Sequence, residues 1–116
     1  MYKKIIITAI FAIISSWITA QVITVNPPLP NDQSSIEVTF DASQGSGGLA
    51  NYTGEVYAHT GVITNLSTSS SDWKHVKADW GVNIPACKLT SMGNNLWKLV
   101  IGPSIRSYYN VPASEE

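Results

Sequence analysis

Apolar and polar residues alternate most cleanly over residues 35–40. Ile36, Val38 and Phe40 share one parity there, and Glu37 and Thr39 the other, a period of two that predicts a half-buried β-strand. A shorter apolar run, Gln21–Val25, predicts a strand halted by Asn26-Pro27-Pro28-Leu29-Pro30. Because proline cannot donate to a ladder, that strand belongs at an edge. The glycines at 45, 47 and 48 mark residues 41–51 as a surface loop. Strand character resumes over Glu55–Ile63, with Val56, Ala58 and Thr60 on one face and Tyr57, His59 and Gly61 on the other. After the polar loop 65–72, Trp73–Trp80 predicts a further strand, and residues 81–85 break it. Cys87–Met92 and Leu96–Ile101 predict a hairpin closed at Gly93-Asn94-Asn95, residues that tolerate positive φ. Trp97 falls on the inward parity of its strand. Residues 103–110 predict one helical turn ending at Tyr108 and Tyr109.

About six short strands and no long helix predict an all-β, immunoglobulin-like antiparallel sandwich. Such sandwiches have seven strands or more, so the pattern expects further strands beyond Glu116. Residues 1–20 have a different grammar. Lys3 and Lys4 precede an apolar core, Ile5–Ile14, and small residues lead to Ala20, the pattern of a secretory signal peptide. This divides the chain into a leader, 1–20, and one β-module, 21–116, exported to the surface or the medium. No membrane contact is expected once the leader is cleaved.

Charge narrows the partners. Lys3 and Lys4 are two of seven basic residues, leaving five against eight acidic ones in 21–116, a net charge of −3. That balance gives no electrostatic footprint for nucleic acid or anionic lipid. One cysteine, Cys87, rules out an internal disulfide and a cysteine zinc cluster. Two histidines, 59 and 75, fall short of a zinc ligand set, and Asp41, Asp72 and Asp79 lack the spacing of a calcium loop. The serines at 67–71 have no nucleophile-elbow setting. The expectation is therefore a non-catalytic module without cofactor or metal.

One stretch carries the candidate chemistry. On a regular strand over 73–80, Trp73, Lys77 and Asp79 share a face with His75, while Val76, Ala78 and Trp80 form the core-facing set. An indole beside a cation and a carboxylate suits sugar recognition, since a pyranose offers an apolar face to stack and hydroxyls to bind. The competing reading has Trp73 closing the edge of the core beneath solvated charges.

The segments Glu55–Ile63, Asp72-Trp73-Lys74 and Asp79-Trp80-Gly81 together resemble an N-terminal β-sandwich module, related to starch-binding and early-set domains. Such modules occur in secreted bacterial alpha-amylase-type glycoside hydrolases and other exported multidomain proteins. Gly93–Trp97, Pro103–Arg106 and Tyr109–Glu115 extend the likeness over nearly all of 21–116. The resemblance implies a carbohydrate-binding accessory role, toward α-glucan, beside a downstream catalytic domain in the same chain. A structural immunoglobulin-like spacer without ligand is the alternative. The two are separated by whether Trp73 faces solvent.

Overall fold

The computed structural model describes residues 21–116, so the expected leader lies outside the described residues. Four antiparallel strands form one sheet: β1 (Ile23–Asn26), β2 (Ile36–Asp41), β3 (Thr90–Gly93) and β4 (Leu96–Ile101), in the order β1-β2-β4-β3. One helix, α1 (Ile105–Tyr109), follows the sheet. The all-β antiparallel class read from the sequence is what the chain adopts. Among the described residues, none lies in a helix long and apolar enough to cross a membrane.

Pairing follows the alternation. Ile36, Val38 and Phe40 oppose Ile101, Leu99 and Trp97 across the β2–β4 ladder, so their side chains share one face. Ile23 and Val25 of β1 join that face through Phe40 and Val38. Trp97, Leu99, Ile101 and Ile36 are buried in one cluster with Leu89, Val56, Tyr108 and Tyr109. Val38 and Phe40 are only half-buried, because β1 is a short edge strand whose Ile23 is itself exposed. The opposite face carries Glu37, Thr39 and Lys98, with a Lys98–Glu37 ion pair at 3.3 Å. One wet face is a regular property of antiparallel sheets.

The layer over the apolar face is not a second sheet among the described residues. It consists of α1 and the largely irregular chain between β2 and β3, in which two isolated bridges, Tyr57–Lys88 and Val62–Lys74, stand where longer strands were expected. The 3-10 turn Pro85–Cys87 also replaces the beginning of the strand expected over Cys87–Met92, which starts instead at Thr90. The hairpin turn is as anticipated: Asn94 and Asn95 have φ of 53° and 64°, the two positive values of a type I′ loop.

Helix α1 is capped at both ends. The Ser104 hydroxyl accepts from the Ser107 amide, and Asn110 adopts a left-handed φ of 55° with its N–H on Arg106 and Ser107. Tyr108 donates to the Ala86 carbonyl at 2.6 Å, and the Tyr109 hydroxyl lies 2.5 Å from that of Thr60. The two rings meet edge to face, centroids 4.8 Å apart. The end of the described chain folds back as well. Glu115 is buried between the Thr64 hydroxyl at 2.6 Å and His75 Nε2 at 2.8 Å, and those bonds hold its carboxyl below the usual carboxylate range.

Two predictions follow from this packing. Trp97→Ala removes a buried ring and should cost about 3–5 kcal/mol, whereas Phe40→Ala, at a half-buried position, should cost about 2 kcal/mol; urea unfolding of both variants measures the difference. The Glu115 contacts favour the charged form, so their contribution is complete above the unfolded carboxyl value of 4.5 and disappears as pH falls through the lower folded value. Thermal melts should therefore show Tm of the parent falling more steeply on acidification from about pH 5 to about pH 3 than Tm of Glu115→Gln.

Candidate functional site

The segment 56–62 is the spine of the site, because it pairs on both of its sides. The amides of Ala58 and Leu89 bond Cys87 and Val56 at 2.7 and 2.8 Å, tying one side to the approach to β3. Val62 and Lys74 exchange both amide bonds, at 2.9 and 2.7 Å, on the other side. Its faces match the sequence reading. Val56 is buried and Ala58 and Val62 pack on the core, while His59 is exposed. Gly61 allows the close approach of Trp73–Val76. A Cβ there would meet the Lys74 carbonyl at 3.0 Å, Val76 Cγ2 at 3.2 Å and Trp73 Cβ at 3.3 Å.

Residues 73–80, in contrast, are not a regular strand. In a straight ladder the Val62–Lys74 pair would be followed by Thr60 opposite Val76. Instead the Thr60 carbonyl accepts from Lys77, at 2.9 Å, so the 74–77 side holds one extra residue. His75 absorbs the excess with φ of 50°, a left-handed conformation uncommon outside glycine. An extra residue of this kind inverts the parity of everything after it. Trp73 and Trp80, of opposite parity in sequence, consequently converge on one ring, His59. The centroid separations are 5.8 Å for Trp73 and 5.2 Å for Trp80, the latter perpendicular.

The expected core set over 76–80 is thereby corrected. Val76 is exposed, Ala78 is half-buried and Trp80 presents 82% of its surface to solvent. Trp80 occupies the corner of a turn closed by the Val82 amide on the Asp79 carbonyl at 3.0 Å, with Gly81 at φ +83°. Positive φ at the third residue is the type II arrangement, and it leaves the second residue, Trp80, projecting. The sequence signal was present in Asp79-Trp80-Gly81, a turn-forming triplet that strand periodicity overrode.

Trp73 is 46% exposed, on the solvent side of the alternative posed above. Its approach is ordered by Asp72, whose carboxylate accepts from the Thr68 amide at 2.9 Å and pairs with Lys74 at 3.2 Å. These partners hold the Asp72 carboxyl below its ordinary range, the Thr68 amide most strongly. Asp79 is exposed and, with Tyr57, His59, Trp80, Val82 and Asn83, lines a shallow cavity of about 230 Å³. Lys77 does not join them. Its ammonium donates to the Tyr108 carbonyl and lies 4.6 Å from the centre of that ring. The shared face expected for Trp73, Lys77 and Asp79 is thus divided: Trp73 and Asp79 border the His59 cluster, and Lys77 clasps α1.

His59, missed as a site residue, lies between the two indoles, while His75 is engaged by Glu115. Among the described residues no three His, Cys, Asp or Glu side chains gather as a metal centre would need. What the cluster offers is apolar ring surface in water, with one carboxylate and one imidazole beside it. That combination can stack on a flat apolar ligand face and exchange hydrogen bonds with hydroxyls.

If Gly61 sets the approach of Trp73, Gly61→Val should force the two segments apart. Its Tm should drop, with a cost of about 1–3 kcal/mol, and Trp73 emission should shift, read as the difference between Trp80→Phe and Trp73→Phe/Trp80→Phe backgrounds so that Trp97 cancels.

No family model matches the chain, and no curated protein matches it.

Proposed function

We propose that residues 21–116 are a non-catalytic carbohydrate-binding module of an exported protein, with Trp80 and Trp73 as its sugar platform. The observation that carries this reading is the exposure of Trp80. A chain of this size loses stability by leaving an indole in water, and 82% exposure at a turn corner gives that ring no role in the core. Pyranose rings present axial C–H bonds that pack on indole faces, and each sugar's hydroxyls need acceptors and donors at the rim. Asp79 and His59 are placed to supply them. Lys77 has no part in this platform, since its ammonium lies over the Tyr108 ring rather than beside His59.

The likeness of Glu55–Ile63 and the two Asp-Trp pairs to starch-binding modules favours α-glucan as the ligand. It also favours a catalytic domain elsewhere in the same chain as the beneficiary of binding. Export is supported by the Lys3-Lys4 and Ile5–Ile14 pattern. The ligand-free spacer reading would leave the exposed indoles without a purpose.

Affinity electrophoresis of the parent protein in amylopectin gels tests the proposal. Trp80→Ala should reduce retardation about tenfold in affinity, equivalent to about 1.4 kcal/mol. As a surface change it should alter stability by no more than about 0.5 kcal/mol. Trp73→Ala should act in the same direction, and Lys77→Ala should lower Tm while leaving retardation intact. Equal mobility of parent and Trp80→Ala on amylopectin and on a panel of other polysaccharides would refute the platform.

A further inference from the structure

Three of the five basic residues in 21–116 line a single cleft. Lys77, Lys88 and Lys98 border a cavity of about 560 Å³ together with the hydroxyl residues Thr90 and Ser107, and no acidic residue lines it. Three lysines less their two carboxylate partners, Glu55 and Glu37, leave a local excess of one positive charge in a module carrying net −3. The cleft forms for identifiable reasons. Lys88 is fixed by the bridge to Tyr57, Lys98 projects from the wet face of β4, and Lys77 is drawn in by α1.

We propose that this cleft is a binding site for a single oxyanion group, the carboxylate, sulfate or phosphate of a small acid or of a sparsely charged polymer. Each lysine keeps donors to offer. An ammonium has three, and Lys77 gives one to the Tyr108 carbonyl. Lys88 and Lys98 pair with Glu55 at 2.6 Å and Glu37 at 3.3 Å, both exposed contacts worth little in water. Those two carboxylates act as placeholders, which an incoming anion displaces without opening the core. Thr90 and Ser107 add neutral donors at the wall. A densely charged polyanion is disfavoured, because the other acidic residues of the module repel it beyond the cleft.

The test is an NMR titration of the parent protein with sodium sulfate, sodium phosphate and sodium acetate, against sodium chloride at matched ionic strength. Saturable shifts at the amides of Thr90, Gly102 and Ser107 are expected with the oxyanions and not with chloride. Lys88→Gln/Lys98→Gln should weaken the saturable binding by about tenfold or more. Glu37→Gln/Glu55→Gln, which removes the competing carboxylates, should tighten it. This second pair keeps the test decisive if the lysine variant folds poorly. A parallel arm with weakly charged pectin distinguishes a polymer-borne carboxylate, which would broaden the same amides, from a free ion, which alone would shift them. Shifts that match those in chloride, or binding unchanged in both double variants, would overturn the proposal.

Discussion

Tyr108 and Tyr109 stand side by side on α1, and their hydroxyls reach different parts of the chain. One bonds the Ala86 carbonyl in the 3-10 turn, the other the Thr60 hydroxyl in the segment that underlies the aromatic cluster. The layer over the sheet has few ladder bonds of its own, so these contacts connect it to the core. Burial raises the ionisation range of both phenols, keeping them neutral hydroxyls at any ordinary pH. Losing either partner would strand a buried polar group, at about 1–3 kcal/mol. A single turn of helix thereby aligns the sheet, the approach to β3 and the segment that carries His59.

This division of labour separates two chemistries. Lys77 reaches α1, by cation–π contact and a carbonyl, and so does not stand beside the aromatic cluster. Its ring surface meets water with Asp79, His59, Tyr57 and Asn83 near. Lys77, Lys88 and Lys98 instead border the cleft between the 3-10 turn and β4. The aromatic rings and the lysine cluster therefore occupy separate surfaces of the same small module.

Much of the sheet was legible because one face is wet and the other dry. Ile36, Val38 and Phe40 against Glu37 and Thr39 report a sheet surface directly, as do Trp97, Leu99 and Ile101 in β4. Gly93-Asn94-Asn95 announced its turn through residues that accept positive φ. The faces of 56–60 are also as the alternation gives them, since the extra residue lies on the facing 74–77 segment and leaves the count along 56–62 itself unbroken. Reading failed over 73–80 for a definable reason. Alternation specifies sides only while the ladder keeps count, and the extra residue near His75 is paid for by contacts with Glu115, forty residues away in sequence. Nothing local to 73–80 records that partner. Trp80 was assigned inward and Lys77 outward on a parity that reverses midway.

The same count has a consequence for how such a surface changes over generations. Substitutions at Trp73 or Trp80 alter one ring at a time and leave the other in place. Loss of a single codon between Lys74 and Lys77 would do something different in kind. The ladder would regain its regular register, and the Asp79–Val82 turn that carries Trp80 would be displaced relative to Trp73 and His59. The convergence of the two indoles on His59 would vanish with both indoles still encoded. Insertions and deletions of one residue are thus the coarse control of this surface and point substitutions the fine one, so an indole pair retained in a diverged sequence says little about the platform unless the spacing between them is retained too.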